Sequence, residues 1–243
     1  ASNEIARILL FPETNKVETF MKGKVELVEY AVRDDSPLVG LPLGELYRKF
    51  QIQVLICAVK RKDEVYIPDG DFVLQAGDKM HIAASHQNLK NFFKSLMKKT
   101  VRIKNVLICG GGHLCFYLAL QLLQVGMQVK IIEKDSSRCE TLCELLPKAT
   151  VINADATSHD LLLEEGIGEA DAVVALTGMD EENIIMALFA KTQGVKKIIA
   201  KVNEDTRAQM VEGLGIDSIV SAKSATADAI LRYVRARKNS HDS

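Results

Sequence analysis

Residues 105–122 read NVLICGGGHLCFYLALQL, and this stretch decides the fold. An apolar, β-rich run at 106–109 leads directly into three glycines, and an apolar helical pattern follows them. Glycines at such a point allow a tight turn and let backbone N–H groups approach an anion closely, while the positive end of the helix dipole faces the same anion. The stretch therefore predicts a strand, a phosphate-binding loop at Gly110, Gly111 and Gly112, and a helix.

The loop departs at one position from the usual dinucleotide-binding fingerprint. That fingerprint has a third glycine where this chain has Cys115, which is small enough for close helix–strand packing but weakens the motif. His113 and Leu114 complete the predicted loop site. The side chain of His113 would reach the phosphates, where an anion raises an imidazole pKa. The alternative is that His113 is simply an exposed loop histidine.

The strand after the loop ends in an acidic residue. QVKIIE (128–133) places Glu133 about twenty residues beyond the glycines, where a carboxylate can accept both ribose hydroxyls of an adenosine. The same carboxylate would repel a 2′-phosphate, so NAD, ADP and ATP fit better than NADP. Lys134, the next residue, is included in the predicted site. As an alternative, Glu133 is a surface glutamate at the end of a strand.

The later strands add further candidates at their ends. Asp155 and Ala156 lie in NADAT (153–157), where they would frame an adenine edge. Thr177 closes the fourth strand, and Lys201 closes the fifth and would supply a positive charge to phosphate. Each has a simpler alternative: the NADAT turn and Thr177 are capping residues, and Lys201 is solvated.

From residue 105 onward, apolar β-rich runs alternate with helical segments. Each parallel crossover needs a covering helix, so the alternation predicts an α/β fold, a Rossmann-type doubly wound parallel sheet. The six predicted strands are NVLIC, QVKII, TVIN, AVVAL, KIIAK and SIVS, and the helical segments between and after them include SRCETLCELL, ENIIMALFAKTQ, TRAQMVEGL and SATADAILRYVRARK.

The first hundred residues have a different pattern and predict a small α+β domain. Turn signals such as Asp69–Gly70 separate short β-rich segments, and residues 87–97 form an amphipathic helical pattern. A second helix is predicted from the spacing of Leu43, Leu46, Tyr47 and Phe50, and the basic stretch 98–104 is interpreted as a linker. The predicted strands lie at 24–32, 53–61, 65–74 and 79–84.

Composition and charge exclude several classes of function. Lys and Arg total 31 against 32 Asp and Glu, so no overall cationic field is present to hold a nucleic acid. No apolar run approaches the ~20 residues that cross a bilayer. The five cysteines have no metal-ligand spacing, which predicts a reduced cytosolic protein without a metal site.

The histidines and cysteines also argue against an enzyme. A hydride-transferring dehydrogenase needs a proton donor beside the nicotinamide. His81, His86, His159 and His241 are scattered, and none stands in a recognisable nucleophile setting. The sequence therefore predicts a site that senses a nucleotide without chemistry. The alternative left open is an NAD-dependent oxidoreductase fragment that lacks its catalytic domain.

At this point the second half resembles a known family. It is similar to the N-terminal nucleotide-binding lobe of the RCK module (regulator of potassium conductance), as found in Trk-type, TrkA-like potassium-uptake regulatory subunits. The departures are Cys115 and Ala222, where a proline is commoner. The matching pieces, over residues 104–238, are VLICGGGHL, VKIIEKD, VINADATSHDLL, ADAVVALTGMDEENIIMALFAK, KKIIAKVN and IVSAKSATADAIL.

The first half resembles the C-terminal lobe of the same module, so the order of the lobes is reversed. The resemblance implies a middle fragment of a tandem-module protein. Residues 1–23, including NEIARILLF, would be the terminal helix and linker of a preceding nucleotide lobe, 24–99 the small α+β domain, and 104–238 the nucleotide-binding domain. The matching pieces are LVEYAVRDDSPLVGLPLGEL and VLICAVKRKDEVYIPDGDFVLQAGDKMHIAAS.

The resemblance implies a cytoplasmic regulatory subunit, a dimer or ring of identical chains on the inner face of the plasma membrane. It would bind NAD(H) or ATP/ADP and gate a membrane potassium channel or transporter, with His113 reading the phosphates of a second subunit. No nucleic-acid partner is expected. A further alternative is a nucleotide-binding scaffold with no membrane partner.

Overall fold

The structure is a computed structural model that describes residues 1–12, 14–20, 24–51, 53–96, 103–203, 214 and 216–221. The chain divides into two compact units: Leu10–Arg102 forms one, and Ala1–Leu9 groups with Ile103–Ser243 in the other. A first helix, α1 (Ser2–Leu10), confirms the helical pattern of NEIARILLF. Its assignment to a preceding nucleotide lobe stays a prediction.

The unit of residues 10–102 is built on an antiparallel sheet. Its strands have the spatial order β1-β2-β5-β3-β4, and its described residues also include two helices. One of these, α3, buries Leu89, Phe92, Phe93 and Leu96, the one-sided spacing that the sequence pattern predicts. The elements are β1 (Thr14–Phe20), β2 (Val25–Ala31), α2 (Leu46–Phe50), β3 (Leu55–Arg61), β4 (Glu64–Tyr66), β5 (Lys79–Ala84) and α3 (His86–Leu96).

Two details of this unit differ from the sequence interpretation. Residues 14–20, interpreted as linker, form β1, which pairs antiparallel with β2. TNKVETF has little apolar periodicity because β1 is an edge strand, paired on one side only. The predicted strand 65–74 is limited to β4, because Pro68 has no N–H to donate and Asp69–Gly70 forms a turn. The second predicted helix is the short α2, preceded by a 3-10 turn at Leu43–Glu45.

The other unit contains the predicted parallel sheet, which confirms the fold class. Six strands have the order β11-β10-β9-β6-β7-β8, and every pair is parallel. The strand order reverses between β6 and β9. The elements are β6 (Asn105–Cys109), α4 (His113–Gln124), β7 (Gln128–Glu133), α5 (Ser136–Leu145), β8 (Thr150–Asn153), α6 (His159–Glu164), β9 (Ala172–Ala175), α7 (Asp180–Thr192), β10 (Lys197–Lys201) and β11 (Ser218–Val220).

The central strands of the parallel sheet are buried on both faces. All four residues of β9 are buried, and alternate residues of β6 and β9 join Met186, Ala187 and Ala190 of α7 in one core cluster. Strands covered on both faces read as continuous apolar runs, which is why VLIC and AVVA were recognisable in the sequence.

Some of the predicted helices are confirmed, and others lie outside the described residues. α5 and α7 confirm the helical segments SRCETLCELL and ENIIMALFAKTQ, whereas α6 was not predicted. The segments TRAQMVEGL (apart from Leu214), SATADAILRYVRARK with Ala222, and most of the linker 98–104 lie outside the described residues. None of the described helices has the length and apolarity to span a bilayer.

Candidate functional site

A cleft of about 400 Å³ lies at the carboxyl ends of the parallel strands. It opens where the strand order reverses, which is where ligands bind in open α/β sheets. Of the residues predicted to bind the nucleotide, all but His113 and Leu114 line it: Gly110, Gly111, Gly112, Glu133, Lys134, Asp155, Ala156, Thr177 and Lys201. The structure therefore brings together residues from five separate strand ends.

Gly110 directly follows β6, and its backbone lies very close to the backbone that follows β9. It has φ +101°, and an added Cβ would lie 2.9 Å from the backbone nitrogen of Thr177 and 3.0 Å from the carbonyl carbon and oxygen of Leu176. Its N–H donates to the carbonyl oxygen of Ile132 at 2.8 Å. Only glycine satisfies both the left-handed backbone and the approach to a neighbouring backbone.

Gly111 packs against the next strand and helix. An added Cβ would lie 2.7 Å from Cδ1 of Leu142 and 3.0 Å from Cβ and Cγ of Glu133. Its N–H donates to Oε2 of Glu133 at 2.5 Å, and its carbonyl oxygen accepts from Nε of Arg138 at 2.6 Å. Two charged side chains thus hold both polar groups of this residue.

Gly112 is the N-cap of α4 and is exposed at the cleft. Among the described residues, no side chain caps this helix, so the first N–H groups of α4 can bond to another acceptor. His113 begins α4 with its side chain exposed, and neither it nor Leu114 lines the cleft.

Cys115 is fully buried and does not line the cleft. Burial raises the pKa of its thiol to about 12, so the group is a neutral apolar filler in the helix packing. The departure from the three-glycine fingerprint therefore lies in the core, behind the loop.

Glu133 ends β7 half-buried at the cleft wall. Oε1 accepts from the N–H of Asp135 at 2.9 Å, and Oε2 accepts from Gly111. A carboxylate offers about four acceptor positions, so capacity remains for two ligand hydroxyls. Its predicted role as a ribose-binding residue stays a prediction.

The NADAT turn is held by its own side chains. Asn153 Nδ2 donates to the carbonyl oxygens of Glu133 and Lys134, both at 3.0 Å, which ties the end of β8 to that of β7. Asp155 Oδ1 accepts from the N–H and Oγ1 of Thr157 at 2.9 and 2.8 Å. These bonds from Thr157 lower the pKa of Asp155. Asp155 thus makes the local turn and lines the cleft as well.

The opposite wall depends on a residue that sequence reasoning missed. Asn183, fully buried in α7, accepts at Oδ1 from the N–H and Oγ1 of Thr177 at 2.8 and 2.9 Å. Its Nδ2 donates to the carbonyl oxygens of Lys201 at 2.9 Å and Thr177 at 3.3 Å. The signal was a polar residue on the apolar stripe of α7, three, four and seven residues before Met186, Ala187 and Ala190.

Lys201 contributes a partly desolvated cation to the cleft. Burial lowers its pKa, and the nearby charge of Asp180 partly offsets the effect. Asp180, at the start of α7, accepts from the N–H of Asn203 at 2.8 Å. Lys134 and Lys201 lie in the lining with Glu133, Asp155 and Glu182, so the cleft has mixed charge.

Arg138 is the second residue that sequence reasoning missed. It lies in the first turn of α5 and reaches the carbonyl oxygen of Gly111. No motif in the sequence pointed to it, because the contact depends on how closely the glycine loop packs on α5. Among the described residues, no group of three or more His, Cys, Asp or Glu side chains is arranged to hold a metal ion.

Comparison with known families assigns both units. Residues 106–222 match the TrkA-N domain model, and residues 27–97 match the TrkA-C domain model. Along the chain, the TrkA-C match therefore precedes the TrkA-N match.

Curated relatives match along nearly the whole chain. The chain is 34% identical over 237 residues to the Trk system potassium uptake protein trkA homolog 1 of Methanosarcina mazei, covering 97% of this chain and 58% of that protein. It is 34% identical over 235 residues to the Trk system potassium uptake protein TrkA of Halomonas elongata, covering 96% of this chain and 51% of that protein. The chain spans about half the length of the curated relatives it matches.

Solved structures share the fold. The GsuK RCK domain superposes with a TM-score of 0.65 at 20% identity, covering 98% of this chain and 51% of that chain. A structure described as the GsuK channel bound to NAD has a TM-score of 0.65 at 19% identity, covering 96% of this chain and 42% of that chain.

Proposed function

Since the two units of this chain belong to the TrkA-C and TrkA-N domain families, we propose that the protein is a nucleotide-sensing regulatory subunit of Trk-type potassium uptake. It binds an adenine nucleotide without transforming it and gates a membrane potassium channel or transporter. It works as an assembly of identical chains at the cytoplasmic face of the plasma membrane, held there by its partner.

The observation that carries this proposal is the meeting of glycine loop, acidic strand end and lysine in one cleft. In the bound state, the N–H groups that follow Gly111 and begin α4 receive the phosphates. Glu133 accepts the ribose hydroxyls, and Asp155 with Ala156 frames the adenine edge. Thr177 and Lys201 face the phosphates from the other wall. His113, exposed beside the loop, reads phosphates held by a second copy of the chain.

NAD(H) and ADP or ATP are the proposed ligand class. All present the same adenosine ribose to Glu133, whose charge disfavours the 2′-phosphate of NADP. The volume of about 400 Å³ is in the range of small-molecule sites. The GsuK channel bound to NAD shares the fold and supports the same class.

Gating follows from linkage. A nucleotide shifts the assembly between two arrangements only by its difference in affinity for them, and the partner channel responds to the arrangement. No bond in the nucleotide needs to break. A substitution that weakens nucleotide binding to both arrangements equally therefore raises the nucleotide concentration required for regulation.

Calorimetric titration with NADH, NAD, ADP, ATP and NADP tests the binding step. We expect micromolar binding of at least one of the first four, weaker NADP binding, and loss of binding in Glu133→Ala. Glu140→Ala is the matched control, because Glu140 is an exposed glutamate of α5 away from the cleft. Absence of binding by the unmodified chain contradicts the proposal, as does equal binding by the Glu133→Ala variant.

Potassium uptake by cells tests the gating step. The gene that encodes this chain, carrying either Glu133→Ala or Glu140→Ala, is expressed in cells that lack their own copy. We expect the first variant to uncouple uptake from the cellular nucleotide level and the second to behave as the unmodified gene does. Identical uptake in both variants, with binding lost only in the first, would remove the regulatory role.

A further inference from the structure

Four hydrogen bonds form a closed ring behind the glycine loop. Glu133 Oε1 accepts from the N–H of Asp135 at 2.9 Å, and Asp135 Oδ1 accepts from the N–H of Arg138 at 3.0 Å. Nε of Arg138 donates to the carbonyl oxygen of Gly111 at 2.6 Å, and the N–H of Gly111 returns to Glu133 Oε2 at 2.5 Å. The ring joins the end of β7, the start of α5 and the loop into one unit.

The ring fixes the position of Arg138. Asp135 is the N-cap of α5, and Ser137 Oγ also donates to its Oδ1 at 2.7 Å. These bonds, from the side chain of Ser137 first and the backbone of Arg138 second, lower the pKa of Asp135 and keep it ionised as a strong cap. Because the helix start is fixed and Arg138 is half-buried, its side chain gives up little further freedom to hold the loop.

The bond from Arg138 determines the orientation of the Gly111–Gly112 peptide. In a trans peptide the C=O and N–H point to opposite sides. With the Gly111 carbonyl held on α5, the Gly112 N–H points away from α5, and Gly112 lines the cleft. A peptide between two glycines rotates with little steric resistance, so this orientation depends on its hydrogen bonds.

We propose that Arg138 is a positioning residue for nucleotide binding, which holds the Gly111–Gly112 peptide so that the Gly112 N–H is presented to a ligand phosphate. Without Arg138, the peptide rotates and turns its carbonyl oxygen toward the cleft, where the oxygen repels a phosphate. The inference rests on the proposed nucleotide binding and adds a determinant of phosphate affinity to it.

The contacts of Arg138 distinguish positioning from direct contact with the ligand. Arg138 is not among the residues that line the cleft, and its Nε is occupied by Gly111. Its effect therefore passes through the loop backbone. A lysine keeps the charge but cannot place a donor where Nε lies, so a conservative variant separates the two roles.

Titrations with ADP and with adenosine test the inference on the 243-residue chain. In Arg138→Gln and Arg138→Lys we expect the Kd for ADP to rise about tenfold, the equivalent of one charge-assisted hydrogen bond. The Kd for adenosine, followed by NMR because it has no phosphate, should stay within about twofold of the unmodified value. Arg48→Gln, an exposed arginine of α2, controls for the loss of one charge.

Each of the other possible titration results would contradict either the inference about Arg138 or the proposed function. ADP affinity retained in Arg138→Lys but lost in Arg138→Gln means that the charge contacts phosphate directly. Equal losses for ADP and adenosine mean that Arg138 acts through Glu133 or through the fold. Unchanged ADP binding in both variants removes any role for Arg138, whereas an unmodified chain that binds neither ligand contradicts the proposed function itself.

An NMR readout on the nucleotide-free protein completes the test. We expect Arg138→Gln to shift the amide resonance of Gly112 while resonances of β9 and β10 stay in place. Arg48→Gln should leave the Gly112 resonance unchanged. A Gly112 resonance unaffected by Arg138→Gln overturns the positioning role, even if ADP affinity falls.

Discussion

The two walls of the cleft are built in different ways. The loop wall consists of Gly110, Gly111 and Gly112 with Glu133, and Arg138 supports it from behind. Its hydrogen bonds join backbone groups to charged, half-buried side chains. The helix wall consists of Thr177 and Lys201, and it is held by the neutral amide of Asn183, which is fully buried behind it.

This difference predicts that substitutions in the two walls affect different properties of the protein. A half-buried hydrogen bond exchanges with water, so its loss changes the local geometry more than the free energy of unfolding. A buried amide that satisfies several backbone groups has no such substitute, because its removal leaves those groups without partners in the core. Changes in the loop wall should therefore act mainly on ligand affinity, and changes in the helix wall mainly on stability.

Gly110→Ala should have the largest effect, because Gly110 is the point where the two walls touch. The new Cβ meets the backbone at Leu176 and Thr177, and the residue must also keep φ +101°. We expect a loss of about 3 kcal/mol or more in the free energy of unfolding, measured with urea. Gly178→Ala is the matched control, since an added Cβ there meets nothing within 4 Å. Equal losses in both variants would contradict the close approach of the walls.

Asn183→Ala should have the second largest effect on stability, and comparing it with a loop-wall variant tests whether the two walls differ. The N–H of Thr177 loses its acceptor and the carbonyl of Lys201 loses its donor, at a cost of about 2 to 4 kcal/mol in the free energy of unfolding. Arg138→Gln in the loop wall should cost less than about 1 kcal/mol in the same experiment. Gln124→Ala, an exposed amide at the end of α4, is the control. The comparison fails if Arg138→Gln proves as destabilising as Asn183→Ala.

Lys201→Met should have the smallest effect on stability, with a sign that depends on pH. Burial lowers the pKa of Lys201 in the folded chain, against the smaller opposite effect of Asp180, so the unfolded chain binds the proton more readily. The charged lysine therefore reduces stability at neutral pH, and this cost fades as the pH rises from the lowered pKa toward the ordinary lysine value.

We accordingly expect Lys201→Met to be slightly more stable than the unmodified chain at pH 7, with a difference that disappears in alkaline solution. If ADP binds as proposed, its Kd should rise about fivefold in this variant, because the variant loses the cation proposed to face the phosphates. Urea unfolding at several pH values and calorimetry measure the two effects, with the exposed Lys148→Met as control. A less stable variant at neutral pH would show that Lys201 stabilises the helix wall.

The residues of the loop wall were easier to predict from the sequence than the residues that form and hold the helix wall. The glycines and Glu133 have a fixed spacing around one strand and one helix, so local rules sufficed to predict them. Lys201 and Thr177 were predicted from strand ends alone. Asn183 and Arg138 were missed because their contacts with Lys201 and Gly111 join residues far apart along the chain. Asn183 had one local signal, its polar side chain on the apolar stripe of α7, whereas Arg138 had none.

The same distinction explains the errors in the fold. The buried strands β6 and β9 were evident because both of their faces are apolar. The edge strand β1 was mistaken for linker, since a strand paired on one side has a weaker pattern. The limit of β4 was set by Pro68 and the turn after it, although the apolar residues continue beyond.

The sequence by itself determined the alternation of strands and helices, the parallel sheet, the glycine loop and the acidic strand end. These follow from periodicity and from backbone conformations that few residues adopt. Only the tertiary structure decided that Cys115 lies in the core behind the loop, that His113 stays outside the cleft, and that Asn183 and Arg138 hold its two walls. Those facts depend on packing distances between distant segments, which arise when the sheet brings the strand ends together.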